Sequence, residues 1–244
     1  VDLTGTKTIG MEALVRWQSP DRGLVLPGEF IPIAEETGLI KPIGNWVINL
    51  ACLQISKWRR TFPDTSYTMC INLSRNQLMH PGLIGEIKEA MEISGVDPTW
   101  LHFEITENSI MRDMEAVRGV LEELKSMGCK IVMDDFGAGQ SSLHYLQELP
   151  LDTLKMDQVF ISNMESNVEY TAIIQSIATL THNMGINLVA EGVETSEQVA
   201  QLQSLECGQA QGFIFSPPLP PGACTDYIRR SIGDTGITYR KRPA

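Results

Sequence analysis

Lys130-Ile131-Val132-Met133-Asp134-Asp135-Phe136-Gly137-Ala138-Gly139-Gln140-Ser141-Ser142-Leu143 is the stretch that decides the fold. Ile131, Val132 and Met133 form the short apolar run expected of a buried parallel strand. The run stops at two adjacent carboxylates, followed by a glycine-rich turn and the start of a helix. Strand, loop and helix in that order make one repeat of an α/β fold. Adjacent carboxylates repel, and at a buried strand end they persist only when protonated, paired or bound to a cation. Gly137 and Gly139 give a loop whose backbone can come close to a ligand.

The same order of elements recurs on both sides. Residues 9–17 read as a strand carrying Glu12, and 27–38 as a short helix closed by Gly38. Pro42 opens a longer helix with Ile43, Trp46, Val47, Leu50 and Leu53 on one face and Arg59-Arg60 at its end. Strands at 67–73 and 101–105 bring Asn72 and Glu104, with helices at 83–93 and 116–127. Beyond the opening stretch come a brief strand with Lys155, a helix at 172–184, and a strand at 186–190 running into Glu191. Ser196 caps a helix, 209–215 is a last strand with Gln211, and a final helix lies near 225–232. Residues 1–3 read as a remnant before a polar turn, and the polar, basic tail 233–244 as mobile.

Strand and helix thus alternate at least seven times. That alternation implies parallel strands joined by right-handed crossovers. A chain of 244 residues with this repeat count favours an α/β fold of the (β/α)8, TIM-barrel type over an open doubly wound sheet. No GxGxxG fingerprint follows the first strand.

A net charge of −11 argues against a basic surface for duplex DNA or RNA. One anionic nucleotide could bind if metal ions screened the acids. The five cysteines show no CxxC spacing and read as buried free thiols of a cytoplasmic chain, with no membrane segment.

Glu12, Asn72, Glu104, Asp134, Lys155, Glu191 and Gln211 each fall in or at the end of a different strand. In a parallel barrel those strand ends converge on one face. Any one of these residues is as readily a paired core group; all of them together make a site. Carboxylates with one amide oxygen are hard donors suited to Mg²⁺ or Mn²⁺. Asp134 beside Asp135 can bridge two ions, the arrangement that serves attack on a phosphate. Arg16, on the strand face of Glu12 by period two, is placed to hold a phosphate oxygen.

These residues resemble the EAL domain family, bacterial phosphodiesterases that hydrolyse cyclic di-GMP. The likeness runs through Glu12-Ala-Leu-Val-Arg-Trp17, Gly28-Glu-Phe-Ile-Pro32, Ile71-Asn-Leu-Ser74, Phe103-Glu-Ile-Thr-Glu107, Asp134-Asp-Phe-Gly137, Leu154-Lys-Met-Asp157, Ala190-Glu-Gly-Val-Glu194 and Gln211-Gly-Phe213. The resemblance implies one EAL phosphodiesterase domain over 1–232 with an antiparallel first strand. The family's opening helix and strand are missing, which reads as truncation. It also implies two Mg²⁺ or Mn²⁺ ions and hydrolysis to linear 5′-pGpG by in-line attack of a metal-activated water, in bacterial signalling of the kind that regulates biofilms.

Carried over residue by residue, Glu12, Asn72, Glu104 and Asp134 hold one metal, and Asp134, Asp135 and Glu191 the second. Lys155, Glu191 and Glu12 are the catalytic set, while Arg16, Leu14, Gln211, Asp157 and Glu194 face the substrate. Glu107, with Glu194, anchors the loop after Asp135, which the family couples to a homodimer interface. A regulatory sensor domain in the parent protein, itself open to membrane tethering, completes the implied partners. Ala138, Gln140 and Gly208 depart from the family's common residues without removing a metal ligand. The alternative is a catalytically weak domain that serves as a cyclic di-GMP receptor or protein-interaction module. Every expected acid is present, which favours the enzyme.

Overall fold

The structure, a computed structural model, describes residues 1–4, 7–110, 113–137 and 143–233. In chain order the elements are β1 (Gly10–Ala13), β2 (Trp17–Ser19), β3 (Gly23–Val25), α1 (Pro27–Thr37), α2 (Ile40–Thr61), β4 (Thr68–Asn72), α3 (Arg75–Leu78) and α4 (Leu83–Ser94). A 3-10 turn (Pro98–Trp100) leads to β5 (Leu101–Thr106), α5 (Glu107–Ile110), α6 (Met114–Ser126), β6 (Lys130–Phe136), α7 (Leu143–Glu148) and β7 (Thr153–Met156). The chain ends with α8 (Gln158–Asn163), α9 (Val168–Met184), β8 (Asn187–Ala190), α10 (Ser196–Ser204), β9 (Gln209–Ala210) and α11 (Pro221–Gly233). It divides into two compact units, residues 11–131 and residues 1–10 with the chain from 132 onward.

In the unit 11–131 the strand order is β1-β4-β5, with β4 and β5 parallel and Asn72 opposite Glu104. Ile48, Cys52 and Ile55 of α2, Ile71 of β4, Ile87 of α4, Phe103 and Ile105 of β5 and Leu121 of α6 form its buried core. Pro27 stands at the start of α1 and Gly38 ends it in the left-handed region, as expected. The first strand is shorter than expected. It stops at Ala13, residues 14–16 are irregular, and Trp17–Ser19 turns back on Gly23–Val25 as an antiparallel hairpin.

Helix α2 packs through a different face from the one expected. It buries Ile40, Gly44, Ile48, Ala51, Cys52 and Ile55, while Trp46, Leu50 and Leu53 are exposed. The helix carries two apolar stripes about a third of a turn apart, and periodicity alone cannot choose between them. Gly44 settles which one packs. A Cβ there would overlap the side chain of buried Gln77 from α3, so the helix lies closest to its neighbours along the glycine stripe.

In the other unit β6, β7, β8 and β9 are successive parallel neighbours. The first residues form an isolated bridge and no strand of their own. Asp2 bridges antiparallel to Gln209, the Val1 amino group donates to the Ala210 carbonyl at 2.7 Å, and Leu3 is buried. The last strand ends at Ala210 rather than 215, because residues 212–215 turn. Helix α10 is capped by Thr195, not Ser196. The Thr195 hydroxyl accepts from the Gln198 N–H at 3.0 Å, and the Gln198 side chain accepts from the Thr195 N–H at 3.1 Å, a capping box.

Cys52, Cys129 and Cys207 are buried, Cys70 and Cys224 half-buried, and all five are free thiols. Burial pushes the Cys52 and Cys129 thiols up to about 12. Among the described residues, no helix is long and apolar enough to cross a membrane.

Candidate metal and phosphodiester site

The site in the later unit is built on a flaw in a strand. Met133 pairs with Leu154 and Phe136 with Met156, so Asp134 and Asp135 together oppose Lys155 alone. This is a β-bulge, and Asp135 occupies the left-handed backbone region at φ +55°. In a regular strand successive side chains point to opposite faces. The extra residue cancels that alternation, which is how both carboxylates reach one place. The Asp135 N–H donates to the Asp134 carboxylate at 3.0 Å, so the bulge is held partly by the group it presents.

Lys155 and Glu191 come from the next two strands. The Lys155 ammonium lies 2.7 Å from Glu191 Oε1 and 3.3 Å from Asp134 Oδ1, with its side chain almost wholly buried. Strand β7 is buried along its length, so the lysine has an apolar stem position and a charged tip among acids. Glu191 follows β8 directly, its N–H bonded to the Met156 carbonyl at 3.1 Å. Carboxylate oxygens of Asp134, Asp135 and Glu191 all lie within 4.8 Å of one another. Asp134 and Glu191 flank the Lys155 ammonium, and three hard oxygen donors at this spacing fit a divalent cation such as Mg²⁺ or Mn²⁺.

The loops behind these residues are fixed by close backbone approach. Gly137 has φ +94°, and a Cβ there would overlap the Phe160 ring of α8. A Cβ on Gly212 would collide with the backbone of Val193, two residues past Glu191. Val193 N–H bonds the Gln211 carbonyl at 3.1 Å and Ile214 N–H the Val193 carbonyl at 3.1 Å, so the segments lock together. Gln198, buried, accepts from the Glu194 N–H at 2.8 Å and donates to the Ile161 carbonyl of α8 at 3.3 Å. That residue was not expected from the sequence, although Thr195-Ser-Glu-Gln198 carries the capping-box pattern that could have found it.

The other expected residues fall as follows. In the unit 11–131, Asn72 Nδ2 donates to Glu12 Oε1 at 2.8 Å across β4 and β1, and Glu104 is buried opposite Asn72 on β5. Glu107, also buried, opens α5. Leu14 and Arg16 lie in the irregular segment after β1, so period two does not align Arg16 with Glu12. The Arg16 guanidinium donates to the Val15 carbonyl at 2.9 Å. In the other unit, Gln211 is exposed beside Glu191, with its N–H on the Ala190 carbonyl at 2.8 Å, and Glu194 is exposed. Asp157 caps α8, accepting from Val159 N–H at 2.7 Å. The loop expected to couple site and dimer, with Ala138 and Gln140, lies outside the described residues.

The chain is similar to known proteins in sequence and in fold. The EAL domain family matches residues 1–218. MucR of Pseudomonas aeruginosa, a bifunctional diguanylate cyclase/cyclic di-GMP phosphodiesterase, is 42% identical over 212 residues, covering 87% of this chain and 31% of MucR. The chain spans about a third of the length of the curated relatives it matches. The PaMucR phosphodiesterase in complex with c-di-GMP superposes with a TM-score of 0.87 at 40% identity, covering 92% of this chain and 90% of that one. The EAL enzyme Bd1971, in its cAMP and cyclic-di-GMP bound form, gives 0.88 at 33% identity over 93% of this chain and 62% of its own. These likenesses show the α/β, TIM-type fold expected from the sequence. On that breadth of match, the chain belongs to the EAL domain family.

Proposed function

We propose that this chain hydrolyses cyclic di-GMP to linear 5′-pGpG. The observation that carries the reading is the bulge that brings Asp134 and Asp135 together with Glu191 around Lys155. Asp134, Asp135 and Glu191 would hold a divalent cation, and Glu12, Asn72 and Glu104 are the donors proposed for a second. Mg²⁺ or Mn²⁺ bound there supplies Lewis-acid polarisation of a phosphoryl oxygen and makes water more acidic.

The chain's own groups do the rest. Lys155, held by two carboxylates, orients the attacking water through its ammonium and keeps Glu191 in place. Arg16 holds a phosphate oxygen, with Leu14, Gln211, Asp157 and Glu194 on the substrate side. Water attacks phosphorus in line, the bond to the 3′ oxygen breaks, and that oxygen takes a proton to leave a 3′-hydroxyl and a 5′-phosphate. Glu107, with Glu194, is the proposed anchor of the loop after Asp135. In this reading the chain is a cytoplasmic module of a longer signalling protein with a regulatory sensor domain, and it works as a homodimer.

The test is direct. The purified chain is incubated with cyclic di-GMP and Mg²⁺ or Mn²⁺, and products are separated by chromatography. pGpG forms and Glu12→Ala abolishes it with the fold intact. Binding without turnover by folded, metal-loaded chain contradicts the enzyme and favours a receptor.

A further inference from the structure

The carboxylates around Lys155 come from two segments that are not neighbours in the sheet. Asp134 and Asp135 lie near the end of β6 and Glu191 follows β8, with β7 between those strands. Adjacent strands are about 4.8 Å apart, so β6 and β8 stand about 9–10 Å from one another. Their carboxylate oxygens nonetheless come within 4.8 Å. Sheet hydrogen bonds alone do not set that approach, because each segment is bonded to β7 and not to the other.

Helix α8 follows β7 and meets both segments just past the strand ends. On one side the buried Phe160 ring fills the space that a Cβ on Gly137 would need, two residues past Asp135. The Tyr170 ring of α9 packs edge-on against Phe160, centroids 6.0 Å apart, which limits where that ring can go. On the other side the Gln158 side chain fills the space that a Cβ on Gly192 would need, one residue past Glu191. The far end of the helix holds the same segment: Gln198 donates to the Ile161 carbonyl at 3.3 Å, and the Thr195 hydroxyl donates to Glu165, just past α8, at 2.8 Å. Asp157 fixes the near end, its N–H on the Phe136 carbonyl at 3.3 Å and its carboxylate on the Val159 N–H at 2.7 Å.

We infer that α8 is the spacer that sets the distance between Asp135 and Glu191, with Phe160 and Gln158 as positioning residues for the metal-holding carboxylates. The inference rests on the metal site of the proposed function and goes beyond it, since it assigns the ligand geometry to two residues outside the ligand set. Both contacts are side chain against backbone in a close-packed interior, which passes a small shift on instead of absorbing it. Residues that orient metal ligands commonly change affinity about 10–100-fold when altered.

Calorimetric titration with Mn²⁺, without nucleotide, tests it at a temperature where circular dichroism shows every variant folded. Phe160→Leu gives the 134–137 segment room to shift and weakens Mn²⁺ binding about 10–100-fold. Ile228→Ala, a buried position on α11, is the control: it lowers the melting temperature and leaves the affinity unchanged. Gly192→Ala also weakens binding, and adding Gln158→Gly recovers part of the loss, because the overlap goes while the left-handed backbone at 192 keeps its strain. A parent chain that binds no Mn²⁺ contradicts the hydrolase reading and this inference together. Equal affinity in parent and Phe160→Leu, or an equal loss in the Ile228→Ala control, overturns the inference alone. A double variant no tighter than Gly192→Ala overturns the role of α8 on the Glu191 side.

Discussion

Asp135 carries a carboxylate on a backbone that suits glycine. The left-handed region is unfavourable for residues with a Cβ, though aspartate tolerates it better than most. Asp135→Gly therefore raises folding stability by about 0.5–1 kcal/mol while removing a proposed metal ligand. Urea unfolding paired with Mn²⁺ calorimetry checks this; a variant that binds Mn²⁺ as the parent does removes Asp135 from the ligand set. Lys155 is the opposite case. Replacing it with methionine leaves Asp134 and Glu191 facing one another without their cation, which destabilises by about 3 kcal/mol in chelator. Added Mg²⁺ recovers part of that loss, and equal stability of parent and variant in chelator contradicts the ion-pair account. The thiols make a pH prediction. Burial lifts Cys52 and Cys129 from 9.0 to about 12, so the protonated thiol is favoured in the fold. Their contribution is whole below pH 9 and is lost as pH rises toward 12. Both resist iodoacetamide at pH 8 until the chain unfolds, as mass mapping of labelled peptides checks.

At the scale of elements, the backbone contact between Gly212 and Val193 governs where Glu191 can sit. Gly212→Ala forces the two segments apart and lowers stability by roughly 1–3 kcal/mol. If Glu191 is catalytic, turnover falls with it by more than the lost stability explains, read as kcat at a temperature where both proteins are folded. Elements were legible from sequence where one signal dominated, as with Pro27 and Gly38 at the ends of α1. They were not legible where two signals competed. On α2 both stripes are apolar, and only the steric demand at Gly44 decides between them. The left-handed turn at Asp135 was hidden because no glycine announces it, although two acids wanted on one face of a strand do require a bulge. The early end of β9 was hidden too, since Gly212 reads as an ordinary strand glycine until Val193 is seen against it.

For the whole molecule, the alternation of strands and helices and the succession of polar strand ends carried the fold class, and the likeness to known structures agrees with it. The later half of the site was legible as residue types. Its geometry was not, because hydrogen-bond register and loop contacts come from residues distant in sequence, such as the Ala190 and Gln211 backbones. Arg16 shows the limit of periodicity: the strand that would have aligned it with Glu12 ends at Ala13. The central claim is that the carboxylates around Lys155 support phosphodiester hydrolysis with a divalent metal. The most direct measurement is chromatography of cyclic di-GMP incubated with the chain, with Mn²⁺ or Mg²⁺ and again with excess chelator. The account predicts pGpG with metal and none with chelator. Intact cyclic di-GMP in the presence of folded, metal-loaded chain, or equal product in chelator, contradicts it.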